Sequence, residues 1–347
     1  MLYFAKKEKG GTMNMMNQAY IAQLSGTGEL WEPLWGLRIR LTEMEQRLLQ
    51  TSVVRRLHFI HHNGGSYINT QHVDTRLQHS LGVFALGAYY CPDQPELRAA
   101  ALLHDIGHLP FSHTLEQIEG LNHHQRTREL LYGEEISGIL AAYAIDQGQI
   151  LNLIEGRIPS PLRNKENRLH LDHLDSWVRS GRTTGLLQSA HALVPRISLA
   201  GPNLSTDAET ADLLLRLIIS EAEFHASAVN IGTNAVLLEL VSVLIEQQAV
   251  SLESITAMTD NSLEALLLSS PHTQEEAQRL YYGSYPLKIT RDRDKAPVDA
   301  YHATLSKLYL SLPLIDQGQV SVESLPSYPL LSGLTARLGE YYIYWDS

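Results

Sequence analysis

A single cysteine, Cys91, leaves no partner for an internal disulfide, and that scarcity fits a reducing compartment. No apolar run approaches the roughly 20 residues of a membrane span. Lys6, Lys7 and Lys9 near the start are followed by no apolar stretch of the kind a secretory leader carries. The expectation is a cytoplasmic protein with no membrane association. Basic residues are also in deficit: 27 lysines and arginines against 38 aspartates and glutamates give a formal charge of -11. A surface that coats polymeric nucleic acid needs the opposite balance, so any phosphate-bearing ligand must be met by a local basic pocket.

What the chain does have is length, apolar content and histidine. Its 347 residues, 44% of them hydrophobic and 19% charged, suffice for one large domain or two smaller ones. Residues 1–26 show no clear periodicity and read as a mobile lead-in. The alternation from Leu34 to Leu41 predicts a short strand, and Thr42 with Glu45 predicts a capping box opening a helix from Glu43 to Leu57. A Gly-containing loop from Asn63 to Asp74 follows. Helical periodicity then dominates over Leu77 to Tyr90, Glu96 to Ile106, His123 to Leu131, Glu135 to Ala144, Leu171 to Arg179, Asp207 to Ser220 and Ala235 to Gln248. Asp260 to Leu268 also reads as helix, whereas Tyr281 to Thr290 and Glu340 to Trp345 have the aromatic and β-branched character of strands. The predicted fold is an all-α core over residues 27–250 with a smaller α+β extension over residues 251–347 packed on it.

Sixteen histidines are many for this length, and they concentrate between His58 and His124. Imidazoles combined with carboxylates suit a divalent transition metal, since carboxylates alone would lean toward Mg or Ca. His104 and Asp105 are adjacent, pointing about 100° apart on a helix, so both can reach one ion while Leu102, Leu103 and Ile106 pack beneath. Further ligands must come from other helices: His79 opens one apolar helical run and Asp172 opens another.

The order H…HD…D, carried by T-R-L-Q-H-S-L-G-V around His79, A-A-L-L-H-D-I-G-H-L-P-F-S-H around His104 and Asp105, and H-L-D-H-L-D around Asp172, resembles the HD-domain metal-dependent phosphohydrolases. The flanking residues are similar to the deoxynucleoside-triphosphate triphosphohydrolase branch, and the likeness covers about Leu34 to Gly181 well. It implies His79, His104, Asp105 and Asp172 as ligands of a divalent metal, one of Mn, Fe, Co, Ni, Zn or Mg. It implies His108, His113 and His123 as active-site histidines, Arg76 as a phosphate contact, and a homo-oligomer. Glu116 stands where relatives commonly carry Asp. The chemistry is coherent with this, because a metal-bound water has its pKa lowered toward neutrality and a histidine can protonate the leaving group. His113 is assigned that role, oriented by Glu116.

Departures bear on substrate. His62 stands where relatives carry a Gln that reads the sugar, and Asp175-Ser176-Trp177-Val178-Arg179-Ser180 replaces D-Y-x-x-R-D. His62, Asp175 and Arg179 are nonetheless expected at the substrate wall. The stretch Ser227 to Ala235 lacks the basic residues that grip a polyphosphate in relatives, so a substrate with fewer phosphates is expected, unless lysines of the Lys288 to Lys295 segment or of a neighbouring subunit fold over the pocket. His58, His61, His72 and His124 read as solvated or supporting groups, and Cys91 as a passive thiol. The leading expectation is hydrolysis of a nucleotide or related small phosphoester. Two alternatives stand beside it: a di-iron oxygenase on the same scaffold, using His108 and His113 for a second iron, and a nucleotide sensor without turnover.

Overall fold

The computed structural model describes residues 28–164, 167–283 and 287–346, so the expected lead-in over residues 1–26 lies outside the described residues. The described chain opens with an antiparallel hairpin of β1 (Glu29–Glu32) and β2 (Leu37–Arg40), with Leu30 opposite Ile39. The strand expected from Leu34 to Leu41 is thus shorter, and its partner lies upstream. Thr42 and Glu45 form the reciprocal capping box at the start of α1 (Glu43–Leu49). The single helix expected to reach Leu57 instead breaks before α2 (Ser52–Arg56) and a 3-10 turn at Leu57–Phe59. Thr51 sits at the break, where its hydroxyl donates to Leu48 O at 2.7 Å and so competes with the helical ladder.

α3 (Arg76–Tyr90), opened by a second capping box from Thr75 and Gln78, lies at the centre of the first core. It packs on α4 (Pro95–Leu103). The chain then passes through α5 (His123–Tyr132), α6 (Glu134–Ala142) and α7 (Gln147–Ile154) before α8 (Leu171–Thr183) returns to α3. Phe84, Leu86, Leu102, Leu103, Leu174 and Val178 interlock where these helices meet, all fully buried. Each contributes roughly 1.5–3 kcal/mol of transfer free energy. This fixes the relative placement of α3, the end of α4 and the start of α8, the three points from which His79, His104, Asp105 and Asp172 project.

α4 stops earlier than the periodicity predicts. His104 is its C-cap, so His104 and Asp105 leave the helix at a turn rather than projecting from its flank. Gly107 permits the turn: a Cβ there would lie 2.2 Å from Thr127 N and 2.4 Å from His123 O, so the close approach of α5 excludes any side chain.

α8 is followed by the hairpin β3 (Ile197–Ala200) and β4 (Asn203–Thr206), then α9 (Ala208–His225) and α10 (Ala228–Glu246). α10 begins at Ala228 rather than Ala235 because Ser227 caps it, accepting from Asn230 N. It is also long and apolar enough to cross a bilayer, contrary to the expectation of no such run. Here Val236, Leu237, Leu240, Val241 and Leu244 bury in a second core.

That second core joins Leu109, Phe111 and Leu115, from the segment after His108, to α11 (Leu252–Ala257), α12 (Asp260–Ser269) and α13 (Gln274–Tyr282). Tyr281 and Tyr282, expected in a strand, finish α13, whose Ala277 and Leu280 are buried at helical spacing. The chain ends with β5 (Leu287–Thr290), β6 (Tyr301–Leu305), β7 (Leu314–Ile315) and β8 (Gly339–Trp345). β8 lies between β5 and β6, antiparallel to both, and β7 adds in parallel to β4. The all-α expectation therefore needs correcting: the protein is mainly helical, but beside the strand expected near Leu34 to Leu41, which pairs as β2 with β1, a second hairpin, β3–β4, lies in the stretch expected to be helical. Strands of four residues such as β1, β3 and β4 carry too little alternation to stand out from flanking helices.

Candidate metal centre

His79 is fully buried on α3, and its Nδ1 lies 2.8 Å from Asp175 Oδ2. Asp175 holds the N–H of Nδ1, which leaves Nε2 as the atom that can ligate an ion once its own proton is displaced. His104 is oriented the same way by a carbonyl, with Nδ1 2.9 Å from Ala101 O. The two Nε2 atoms lie 3.2 Å apart. Asp172 Oδ1 is 3.2 Å from His79 Nε2 and 3.8 Å from His104 Nε2, and Asp105 Oδ1 is 3.4 Å from His104 Nε2. Lone pairs and carboxylate oxygens thus face one another across a space bounded by four side chains. Donors held near 2.0–2.2 Å from one ion sit about 3 Å from each other, so this donor set fits a divalent cation.

The electrostatics point the same way. Burial disfavours charge on His79, yet hydrogen bonds to Asp172 and Asp175 push it up to about 9. Burial likewise opposes ionisation of Asp105, but His104, His108 and Arg76 hold it well below the usual carboxylate range. Asp172 is also held low against burial by its bond to His79 and by the charge of His104. The two carboxylates thus favour positive charge between them, whether a proton on His79 or a cation.

Asp175 and Arg179, expected at the substrate wall, stand behind the centre instead. Asp175 accepts from Trp35 Nε1 at 2.7 Å and from Arg179 Nε at 3.0 Å, besides facing His79, and is fully buried. Arg179 gives Asp175 a second donor from Nη2 at 3.1 Å and also donates to Gln78 O and Asp74. The reason is helical phase: Asp172 points at the ion space, so Asp175, one turn on, points at the back of His79. Gly82 makes room, since a Cβ there would lie 1.9 Å from Asp175 Oδ1.

The other expected residues line one cleft of about 430 Å³ that opens from the metal ligands. Arg76 reaches its edge but donates to Asp105 Oδ2 at 2.9 Å, Ser112 Oγ at 2.8 Å and His62 O at 2.8 Å. His62 bonds Ser176 Oγ through Nε2 at 3.0 Å, while its buried Nδ1 has no hydrogen-bond partner. His108 places Nε2 3.2 Å from Asp105 Oδ1, and its buried Nδ1 also lacks a partner. Burial, reinforced by Arg76, holds both rings well below the usual imidazole range and therefore neutral. Glu116 bridges His113 Nδ1, at 3.0 Å, and His123 Nδ1. Although its burial raises the pKa, those two bonds lower it, so it is a carboxylate. His113 is half exposed at the cleft edge. One nitrogen from each of His108, His113 and His123 falls within 4.8 Å of the others.

Several lining residues were not read from the sequence. Arg163, in the loop marked only by Pro159 and Pro161, and Lys307, just beyond β6, both face the cleft, with Tyr309 and His173 between. Lys307 Nζ stands 4.4 Å from the centre of the Tyr309 ring. Glu221 and His225 also line the cleft. Lys288 and Lys295 pair instead with Asp346 and Asp292, each at 3.2 Å, and stay out of the cleft. Of the supporting histidines, His124 lines the cleft, His72 is buried against Asn63 Nδ2, and His61 bonds Asp260.

Residues 76–175 match the HD domain family model. An uncharacterized protein of Bacillus subtilis is 35% identical over 107 residues, which is 27% of this chain and 25% of that protein. A metal-dependent phosphohydrolase of Cordyceps militaris is 31% identical over 150 residues, covering 40% of this chain and 41% of that one. The chain therefore spans only a quarter to about two fifths of these curated relatives. The crystal structure of a phosphohydrolase from Bacteroides thetaiotaomicron superposes with a TM-score of 0.67 over 92% of this chain and all of that one, at 15% identity, a likeness of fold. The His and Asp cluster thus lies within the residues that match the HD domain model, and its donor set is that of a divalent-metal site.

Proposed function

We propose that the protein is a metal-dependent phosphohydrolase that cleaves a phosphoester of a nucleotide or a related small phosphorylated metabolite. The observation that carries this reading is the convergence, at one cleft, of His104, Asp105 and Asp172 with the buried His79 against them, a Glu116-linked histidine pair and two cationic side chains. His79, His104, Asp105 and Asp172 would hold the ion, which when bound supplies Lewis acidity and a water acidified toward neutrality. Burial lowers the pKa of His113, and Glu116, accepting from its Nδ1, offsets part of that shift, so the ring that takes a proton at Nε2 can pass it to the departing oxygen. His108 and His62, neutral by burial, offer hydrogen bonds without adding charge against the metal.

Arg163 and Lys307 answer the expectation of a substrate with few phosphates. Its premise was the lack of basic residues from Ser227 to Ala235 with an overall charge of -11, and Arg163 and Lys307 line the cleft from elsewhere in the chain. We extend the proposal to a nucleoside polyphosphate, with Arg163 and Lys307 meeting the phosphates beyond the metal-bound one. The test is a panel of nucleoside mono-, di- and triphosphates with Mn, Co, Fe, Ni or Mg, products resolved by chromatography. Turnover of di- or triphosphates well above the matching monophosphates supports the reading. Preference for monophosphates overturns the extension, and no hydrolysis with any metal overturns the function.

A second reading is favoured by one observation, the approach of His108, His113 and His123 with a partnerless Nδ1 on His108. A second iron there would suit an oxygenase. Two metals per chain and dioxygen-dependent turnover would favour it.

A further inference from the structure

The segment from His108 to His113 turns through two consecutive residues in the left-handed region, Phe111 at φ +54 and Ser112 at φ +53, neither of them glycine. Such a backbone is sparsely populated and persists only where its surroundings over-determine it. What holds it is remote in sequence. Asp260, the first residue of α12 and fully buried, accepts from Phe111 N at 2.7 Å through Oδ1. Its Oδ2 accepts from His61 N at 2.7 Å and from His61 Nδ1 at 2.8 Å.

Both neighbours of these contacts lead back to the metal site. Ser112 Oγ donates to His61 O and accepts from Arg76 Nε, and Arg76 donates to Asp105. A parallel tie runs through Arg56, which donates to His108 O at 2.8 Å and to Met258 O at 3.0 Å. The stretch from Met258 to Asp260 therefore grips the catalytic segment at His108 and at Phe111. His61 is in turn stacked on Tyr67 with centroids 3.7 Å apart, and the Tyr67 hydroxyl donates to Glu264 of α12 at 3.2 Å.

We infer that Asp260 is a positioning residue of the reaction: its carboxylate clamps Phe111 and His61 together and so sets where His108 and His113 stand relative to the metal ligands. The inference rests on the phosphohydrolase reading for its consequence in catalysis. The clamp itself is a property of the chain and is measured without it. Asp260 touches neither the ion space nor the cleft lining, so it acts through the backbone it holds. Its ligands to Phe111 and His61 differ in one respect that a variant can use. Asn in place of Asp keeps an oxygen for Phe111 N–H but turns an amide N–H₂ against the two His61 donors.

The experiment compares wild type, Asp260→Asn and Asp260→Ala by amide hydrogen exchange, metal content and steady-state kinetics. Expected in Asp260→Ala is exchange at least about tenfold faster over residues 108–117 and 61–70, with α3, α4 and α8 as protected as in wild type. Metal content should be unchanged and kcat should fall about 10- to 100-fold, the effect of displacing a catalytic group by about 1 Å, with KM changed far less. Asp260→Asn should keep slow exchange at Phe111, lose it at His61 and show an intermediate kcat. Wild-type exchange at Phe111 in both variants overturns the inference, as does uniformly faster exchange with loss of metal in Asp260→Asn. If the wild type hydrolyses no phosphoester, the function fails, while the exchange pattern still decides whether Asp260 holds the segment.

Discussion

Replacing Asp175 by Asn probes how the metal site is oriented from behind. In the native protein the carboxylate takes the His79 Nδ1 proton, the Trp35 indole N–H and two donors of Arg179. Asn presents one oxygen and one N–H₂, so at least one of these donors meets another donor. The loss to His79 matters most, because a carboxylate behind a ligating imidazole fixes its tautomer and raises its basicity, and removing such a partner weakens metal binding about 10- to 100-fold. That factor corresponds to roughly 1.4–2.7 kcal/mol of binding free energy. Trp35→Phe serves as the control: it deletes one hydrogen bond to the same carboxylate, at a cost of about 1–3 kcal/mol in stability, without touching the His79 contact. Metal affinity is read by competition with a coloured chelator on folded protein at matched temperature below both melting transitions. Weakened affinity in Asp175→Asn with native affinity in Trp35→Phe is the expected pair of results. Equal affinities in wild type and Asp175→Asn would show that Asp175 is only a packing partner of Arg179 and Trp35.

Two further outcomes follow from the same geometry. His113→Ala should retain the metal and bind substrate, yet lose about 10²–10⁴-fold in turnover, the usual worth of general acid–base catalysis; loss of metal from this variant would favour the two-metal reading instead. Glu32 is buried beside Asp175, and burial first, then that carboxylate, raises its pKa from 4.5 to about 7 against the pull of Arg179. The folded state then holds this proton more tightly than the unfolded chain, so the stabilisation is complete below pH 4.5 and is lost as pH rises through 7. Glu32→Gln should remove up to roughly 3 kcal/mol of that pH dependence, measured as the difference in urea stability between variant and wild type from pH 4.5 to 8. A difference that stays flat across that window would contradict the shift.

The metal-site residues were legible because each lies in a short, distinctive stretch and the helices between them are long and periodic. The two capping boxes, Thr42 with Glu45 and Thr75 with Gln78, are local too, and the first was read directly from its spacing. What was not legible depends on direction rather than identity. That Asp175 faces His79 and not the cleft follows from a helical phase that no motif states. Arg163 and Lys307 reach the cleft from a proline-marked loop and from the far end of the chain, where sequence separation hides contact. The break at Thr51 turns on a hydroxyl bonded to Leu48 O three residues back, which apolar periodicity does not register, and the left-handed pair at Phe111 and Ser112 rests on a tertiary hydrogen bond that propensity cannot anticipate.

The most direct test of the central claim is elemental analysis and phosphoester hydrolysis on one preparation of wild type, Asp105→Ala and Asp172→Asn, the last of which keeps the Arg76 to Asp105 pair intact. The wild type should hold a divalent transition metal and lose hydrolysis when a chelator strips it, and both variants should lose metal and activity together while remaining folded. A folded Asp105→Ala or Asp172→Asn variant with full metal occupancy, or a wild type that hydrolyses phosphoesters undiminished after its metal is removed, would contradict the account.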